Sequence, residues 1–475
     1  MIRELTPASW RRGLSAVALA AAALAPGAAA SAAGRVDDGL NLTRQDAAAH
    51  TTRPGAQWYP EAGLGLFVHW GIATVEGLNI SWPMIDGVDG RPAQITPNEY
   101  FALARSFNPQ NFHPDRWLKA AKDAGFVYAV LTTRHHEGFA LWPSAYGDFD
   151  TKKFMGGRDL VREFVEACRR NGLKVGLYYS PPDWEFERAY KNFEFDRNKP
   201  PLDADLHPRR TRPAPEELAR HYAAYSRLIR GQIEELLTHY GKIDVLWFDG
   251  RPPMLRKTDD ALVSLEQIRA WQPDVVINPR FHGRGDFVTY ERTLPPGGVA
   301  TTWAEYCNTW TDYWGYVAGA RYRAPAFVLG QYAVCRSRRI NYLLSLGPRA
   351  DGELEPAAYA NLAILASWMA KNGASVRGTM PLPPGETASV PATAAGRVRF
   401  LFAIPRFRDA GNPYPENQIA SVDEILTLSV AAPPRSVTLL ATGARLEYRM
   451  EGNILKVSLP ASVRTRLVDV VRVGL

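Results

Sequence analysis

Ile243-Asp244-Val245-Leu246-Trp247-Phe248-Asp249-Gly250 is a run of β-branched and aromatic residues that closes on an acid and a glycine. Such a run reads as a buried strand opening into a loop. A carboxylate at that point contributes little to packing but is well placed for chemistry, which makes Asp249 the first candidate for a catalytic group. Asp is equally at home as a helix cap or a turn residue, and this run alone leaves both readings open.

Working outward, similar short apolar runs recur at Leu64 to His69, Phe126 to Thr132, Lys174 to Tyr179, Val275 to Asn278 and Tyr342 to Leu346, with a weaker one at Ala300 to Trp303. Between them lie amphipathic helical patterns at Asp115 to Ala124, Gly157 to Asn171, Pro215 to Tyr240 and Ala261 to Trp271. Strand and helix alternating at this cadence predict an α/β fold with a parallel sheet, and the length favours a (β/α)8-like, TIM-type barrel over an open sheet. No glycine-rich phosphate loop follows the first strand, where His69 stands instead, so a nucleotide-binding fold is not expected. A last helix over Pro356 to Ala370 gives way to alternating strands at Val398 to Phe402, Ile425 to Val430, Ser436 to Leu440 and Leu455 to Leu459. The chain is therefore expected to hold a catalytic barrel over residues 57–372 and an antiparallel β-sandwich over 380–475. The charged, Pro-rich stretch from Glu185 to Pro215 reads as a surface loop overhanging the barrel mouth.

The ends and the composition bound the rest. Arg11-Arg12, the apolar run Leu14 to Ala25 and the small residues after it form the pattern of an export signal over residues 1–33, so a periplasmic or secreted product is expected. The apolar run is too short to anchor in a bilayer, and no later segment reaches that length. Three widely spaced cysteines provide neither a disulfide framework nor a zinc spacing. The net charge of +7 is spread along the chain without a basic block, so nucleic acid is not an expected partner. The 13 Trp and 20 Tyr suit stacking on sugar rings, although most of them serve a core of this size.

In a barrel the strand ends converge on one face, which would gather His69, Arg134, His135, His136, Tyr178, Tyr179, Trp247, Asp249 and Arg280. Imidazole, guanidinium and indole groups can hydrogen-bond hydroxyls while ring faces pack on a sugar body. A metal centre is not expected: adjacent strand residues point to opposite faces, which separates His135 from His136, and no common zinc spacing is present. Glycosidic bond cleavage needs a second carboxylate, and Glu291 and Glu305 both qualify by position.

The chain resembles the glycoside hydrolase family 29 α-L-fucosidases. The resemblance rests on Gly65 to Gly71, on Leu131 to Ser144 with its His135-His136-Glu137-Gly138-Phe139 block, on Gly176 to Ser180, Trp247 to Gly250, Trp314-Gly315-Tyr316 and Asn341 to Pro348. It implies a barrel followed by a β-sandwich, a retaining mechanism without a cofactor, and a fucosylated glycan as substrate. It implies Asp249 as nucleophile, His69, His135, His136, Tyr178 or Tyr179 and Trp247 as sugar-binding residues, and Arg280 carried over from an Asn-Asp-Arg motif that appears here as Asn278-Pro279-Arg280. Members of the family resemble this chain at either Glu291 or Glu305 for the acid/base, with Glu291 preferred. Many relatives carry Glu-Trp where this chain has Ser81-Trp82, which opens the alternatives of an α-L-galactoside or another sugar. A secreted carbohydrate-binding protein without catalysis is the rival of another class, and retention of Asp249 and both Glu argues against it.

Overall fold

The computed structural model describes residues 50–253, 262–295 and 297–475. The expected export signal, residues 1–33, lies outside them, as does residue 261 at the expected start of one helix. Eight parallel strands form the first layer: β1 Leu64–Val68, β2 Tyr128–Arg134, β3 Lys174–Tyr179, β4 Val245–Phe248, β5 Val276–Ile277, β6 Val288–Glu291, β7 Ala304–Thr309 and β8 Asn341–Ser345. Their order is β5-β4-β3-β2-β1-β8-β7-β6, a curled sheet with β5 and β6 at its two ends. Side chains alternate across it. Phe67, Tyr128, Val130, Tyr178, Trp247 and Leu343 fill the interior, whereas Leu66, Leu131, Tyr179 and Phe248 pack outward against the helices.

Asp286 joins the two ends of the sheet. Its backbone N–H donates to Ile277 O at 2.7 Å, and its buried carboxylate accepts the Ile277 N–H at 2.8 Å. Arg269 Nη2 lies 2.7 Å from both carboxylate oxygens, so this buried charge is paired as well as hydrogen-bonded. The approach requires a glycine at 285, because a Cβ there would lie 2.5 Å from Ile277 O.

The helices start where sequence chemistry dictates. Asp159 accepts from Arg162 N to cap Leu160–Arg170, and Ser264 accepts from Gln267 N to cap Leu265–Trp271. Three elements differ from the sequence expectation. The weak strand at Ala300 to Trp303 lies just downstream, at β7, whose Ala-Glu-Tyr-Cys-Asn-Thr sequence is fully buried despite three polar residues. β6 is short and half polar. The helix Pro325–Ser337 has polar positions too few and too scattered to mark an exposed face.

Beyond the last barrel helix, Pro356–Asn372, come β9 Met380–Pro381, β10 Ala392–Ala395, β11 Val398–Ala403, β12 Glu424–Ser429, β13 Ser436–Leu439, β14 Tyr448–Glu451, β15 Ile454–Leu459 and β16 Asp469–Gly474. They form a five-stranded sheet, β13-β16-β11-β10-β9, and a three-stranded sheet, β12-β15-β14. Period-two alternation gives the larger sheet two jobs. Phe400, Phe402, Val468 and Val470 join the barrel's outer core, while Leu401, Ala403, Val471 and Val473 face Leu426, Leu428, Leu455 and Val457 of the smaller sheet. Trp368 Nε1 donates to Val468 O at 2.7 Å and ties the last barrel helix to this layer.

Candidate active site

Asp249 follows β4 directly, and its carboxylate is almost fully engaged. Oδ1 accepts from Arg280 Nη1 at 2.8 Å, and Oδ2 accepts from the Tyr178 hydroxyl at 2.9 Å. The same guanidinium donates through Nη2 to Glu291 Oε2 at 2.6 Å. One Arg therefore spans the carboxylates that end β4 and β6, and its plane lies 4.6 Å over the Trp247 ring. Burial pushes the Asp249 pKa up, but the Arg280 guanidinium outweighs it and holds the carboxyl at about 2. Glu291 is the most open member of the group, with 32% of its side chain exposed against 19% for Asp249. Directly after it, Arg292 adopts φ 56° and turns the chain sharply at the rim.

Glu305 is placed elsewhere. It is the second residue of β7, fully buried inside the barrel beneath the site. Its Oε2 accepts from Tyr59 at 2.8 Å and Tyr128 at 2.6 Å, and its Oε1 accepts from Trp247 Nε1 at 2.9 Å. It supports the floor ring and does not meet the Asp249–Arg280–Glu291 group. Trp247 is accordingly a stacking surface whose indole N–H points down, with Tyr178 stacked on it at 5.6 Å. Tyr179 faces the opposite way, its hydroxyl on Gln232 at 3.0 Å and its ring under Arg134 at 4.4 Å, as strand alternation requires of a neighbour of Tyr178.

The histidines converge, contrary to the expectation that adjacency would separate them. The register between β2 and β3 slips between Thr132 and Arg134, and Gly138 N donates to His135 O at 3.0 Å, closing a turn over His135–Gly138. Gly138 has φ 96°, which the turn needs. Both imidazoles thus fall on one side, their centroids 4.2 Å apart, and His69 lies 6.2 Å from His135. His135, His136 and Asp249 bring one donor atom each within 4.8 Å of one another. The spacing would admit a metal ion, but Arg280 already neutralises Asp249 from 2.8 Å and repels a second cation there. Burial pushes the His69 and His136 pKa values well below the ordinary imidazole range, so both are neutral.

One contributor, Trp184, was not singled out from sequence. Trp184, in the loop after β3, stacks on His136 at 5.1 Å, and Trp82 meets both rings edge-on. Arg134, buried, pins that loop by donating to Ser180 O, Pro181 O, Asp183 and Gln232. Beside Ser81 a carboxylate is at hand: Ser81 Oγ donates to Glu137 Oε2, and Glu137, His69, His135, Tyr100 and Gly315 line a small hollow there. Glu137 could be reached from sequence only through the fold of the His135–Gly138 turn.

Comparison with known proteins places the family and the fold. The alpha-L-fucosidase family model matches residues 40–374. Tissue alpha-L-fucosidase of Homo sapiens is 26% identical over 436 residues, covering 86% of each chain, and that of Mus musculus is 28% identical over 359 residues, covering 70% of this chain and 73% of its own. Among solved structures, alpha-L-fucosidase isoenzyme 1 from Paenibacillus thiaminolyticus superposes with a TM-score of 0.71 at 30% identity, over 89% of this chain and 99% of that one. The Thermotoga maritima alpha-fucosidase shares the fold, with a TM-score of 0.68 at 24% identity over 88% of this chain and 96% of that one. A barrel with two carboxylates on one guanidinium, and a family match across the whole barrel, together make this chain a member of the alpha-L-fucosidase family of glycoside hydrolases.

Proposed function

We propose that the chain hydrolyses terminal α-L-fucosides from glycans with retention of configuration, Asp249 acting as nucleophile and Glu291 as acid/base. The observation that carries this reading is the single guanidinium of Arg280, which holds the two carboxylates in one group at the barrel mouth. Asp249, ionised and oriented by Arg280 and Tyr178, attacks the anomeric carbon as the glycosidic C–O bond breaks. Glu291 gives its proton to the departing oxygen, leaving a glycosyl ester on Asp249 and a carboxylate at Glu291. The Glu291 carboxylate left by that step is placed to act next as base. Water then gives a proton to Glu291 and attacks the same carbon, and the ester bond breaks to return Asp249.

His69, His135 and His136 face the sugar hydroxyls, while Trp247 with Tyr178 forms the floor and Trp82 with Trp184 a side wall. The Ser81–Glu137 corner supports a second reading, an α-L-galactoside or a related sugar that differs at the substituent facing it. Export to the periplasm or beyond is part of the proposal and rests on residues 1–33 alone. Among the described residues no helix is long and apolar enough to cross a membrane.

Hydrolysis of nitrophenyl α-L-fucoside, α-L-galactoside and β-D-galactoside, followed by proton NMR of the first product anomer, tests the reading. We expect the α-L-fucoside to be cleaved fastest and α-L-fucose to appear first. Faster α-L-galactoside cleavage would favour the second reading, and a β-anomer first would exclude retention.

A further inference from the structure

Each pocket histidine leans on one serine. Ser345 Oγ lies 2.9 Å from His69 Nδ1, Ser81 Oγ 2.6 Å from His135 Nδ1, and Ser180 Oγ 2.6 Å from His136 Nδ1. A hydroxyl has one proton to give and lone pairs with which to receive, so the direction of each bond is set by the serine's other partner. In all three places that partner only accepts. Ser345 has Trp314 O at 2.8 Å, Ser180 has Pro182 O at 3.1 Å, and Ser81 has the Glu137 carboxylate. Ser81 Oγ also receives the Glu137 backbone N–H at 3.2 Å, and with its one proton given to the Glu137 carboxylate it has none to direct at His135.

We propose that Ser81, Ser180 and Ser345 are positioning residues that hold His135, His136 and His69 as Nδ1–H tautomers, so that all three Nε2 atoms face the ligand as bare acceptors and require free hydroxyl donors from it. The identity of that ligand as a sugar rests on the function proposed above; the tautomers do not.

The spacing around His136 fits this assignment. Its Nε2 lies 3.6 Å from Asp249 Oδ2, beyond hydrogen-bond reach, while its Nδ1 contact is short. Two lone-pair-bearing atoms that face each other without a proton between them form a seat for a ligand O–H. The serines are themselves fixed. Ser180 follows β3 under the grip of Arg134, and Ser345 ends β8. Ser81 follows Ile80, a β-branched residue at φ 47° whose carbonyl accepts from the Tyr100 hydroxyl at 3.0 Å. Ile in that backbone region is strained, and strain of this kind persists where the surroundings over-determine a side chain's position.

The test is long-range proton–nitrogen NMR on the full chain labelled with ¹⁵N-histidine, each pocket signal being assigned by its His→Gln variant. We expect His69, His135 and His136 to show a protonated Nδ1 and a bare Nε2. Ser180→Ala should abolish that pattern at His136 alone and Ser81→Ala at His135 alone, with kcat/KM falling about 3- to 10-fold, whereas Ser180→Thr restores both readouts. An Nε2–H signature on His136 in the unsubstituted protein overturns the proposal, and so does an unchanged signature in the two Ala variants. If the tautomers are as assigned but no α-L-fucoside is cleaved, the sugar reading fails and the positioning role stands; cleavage with Nε2–H imidazoles is the reverse case.

Discussion

Arg280 holds Asp249 ionised, and the charge of the carboxylate is shared rather than free. Its pKa of about 2 lies below the ordinary carboxyl value of about 3.9, with Arg280 the chief attraction that overcomes burial. The pair therefore contributes stability that is complete above about pH 4 and is lost as pH falls toward 2, a contribution of about 2–3 kcal/mol. Denaturant unfolding of the wild type and of Asp249→Asn should show a stability gap larger at pH 6 than at pH 2.5; a gap that widens on acidification contradicts the pairing. For catalysis, Glu291→Gln should lower kcat by ~10²–10⁴ on a glycoside with a poor leaving group and far less on an activated aryl glycoside, with azide restoring turnover of the latter. Glu305→Gln leaves one oxygen to accept from Tyr59 and Tyr128 and turns an NH2 donor on Trp247 Nε1, so it should weaken the floor beneath the site and lower activity modestly, with no azide response. An azide-rescued Glu305 variant would reverse the assignment of the two Glu.

The elements that place these groups differ in how far the sequence announces them. β1 to β4 are apolar runs, buried on both faces, and are legible as such together with the residues that end them. β6 and β7 are not. β6 is short and half polar, and β7 buries Glu305 on Tyr59, Tyr128 and Trp247, partners from distant elements that no local pattern reveals. For the same reason the choice between Glu291 and Glu305 was open in sequence, since only the register within β7 tells a strand start from a strand end. The convergence of His135 and His136 was hidden by a slipped register and a turn, features that strand periodicity does not encode. Among the described residues no strand ladder joins β5 to β6, and Asp286 bonds β5 there through both backbone and side chain. Asp286→Ala strands Arg269 and removes that bond, and thermal unfolding should show a loss of about 3–5 kcal/mol.

The C-terminal sheets complete the barrel's outer core rather than hanging from it. Phe400, Phe402, Val468 and Val470 pack into the same cluster as Leu365 and Trp368 of the last barrel helix. The strand signature there was legible, but its two-faced role was not, because alternation tells which residues share a face and not what covers that face. Ending the chain at Ser375 should expose this apolar surface and yield insoluble protein, whereas the intact chain should melt with the barrel and the sheets in one transition; a soluble, active barrel fragment would show the layers to be independent.

The catalytic expectations depend on covalent catalysis by the acid at the end of β4. The direct measurement is peptide mass spectrometry after incubation with 2-fluoro-fucosyl fluoride, which forms the ester quickly and hydrolyses it slowly. The account predicts one added fluorofucosyl group on the peptide containing Asp249, absent in Asp249→Asn. An active protein that carries the label on another residue, or none at all, would contradict it.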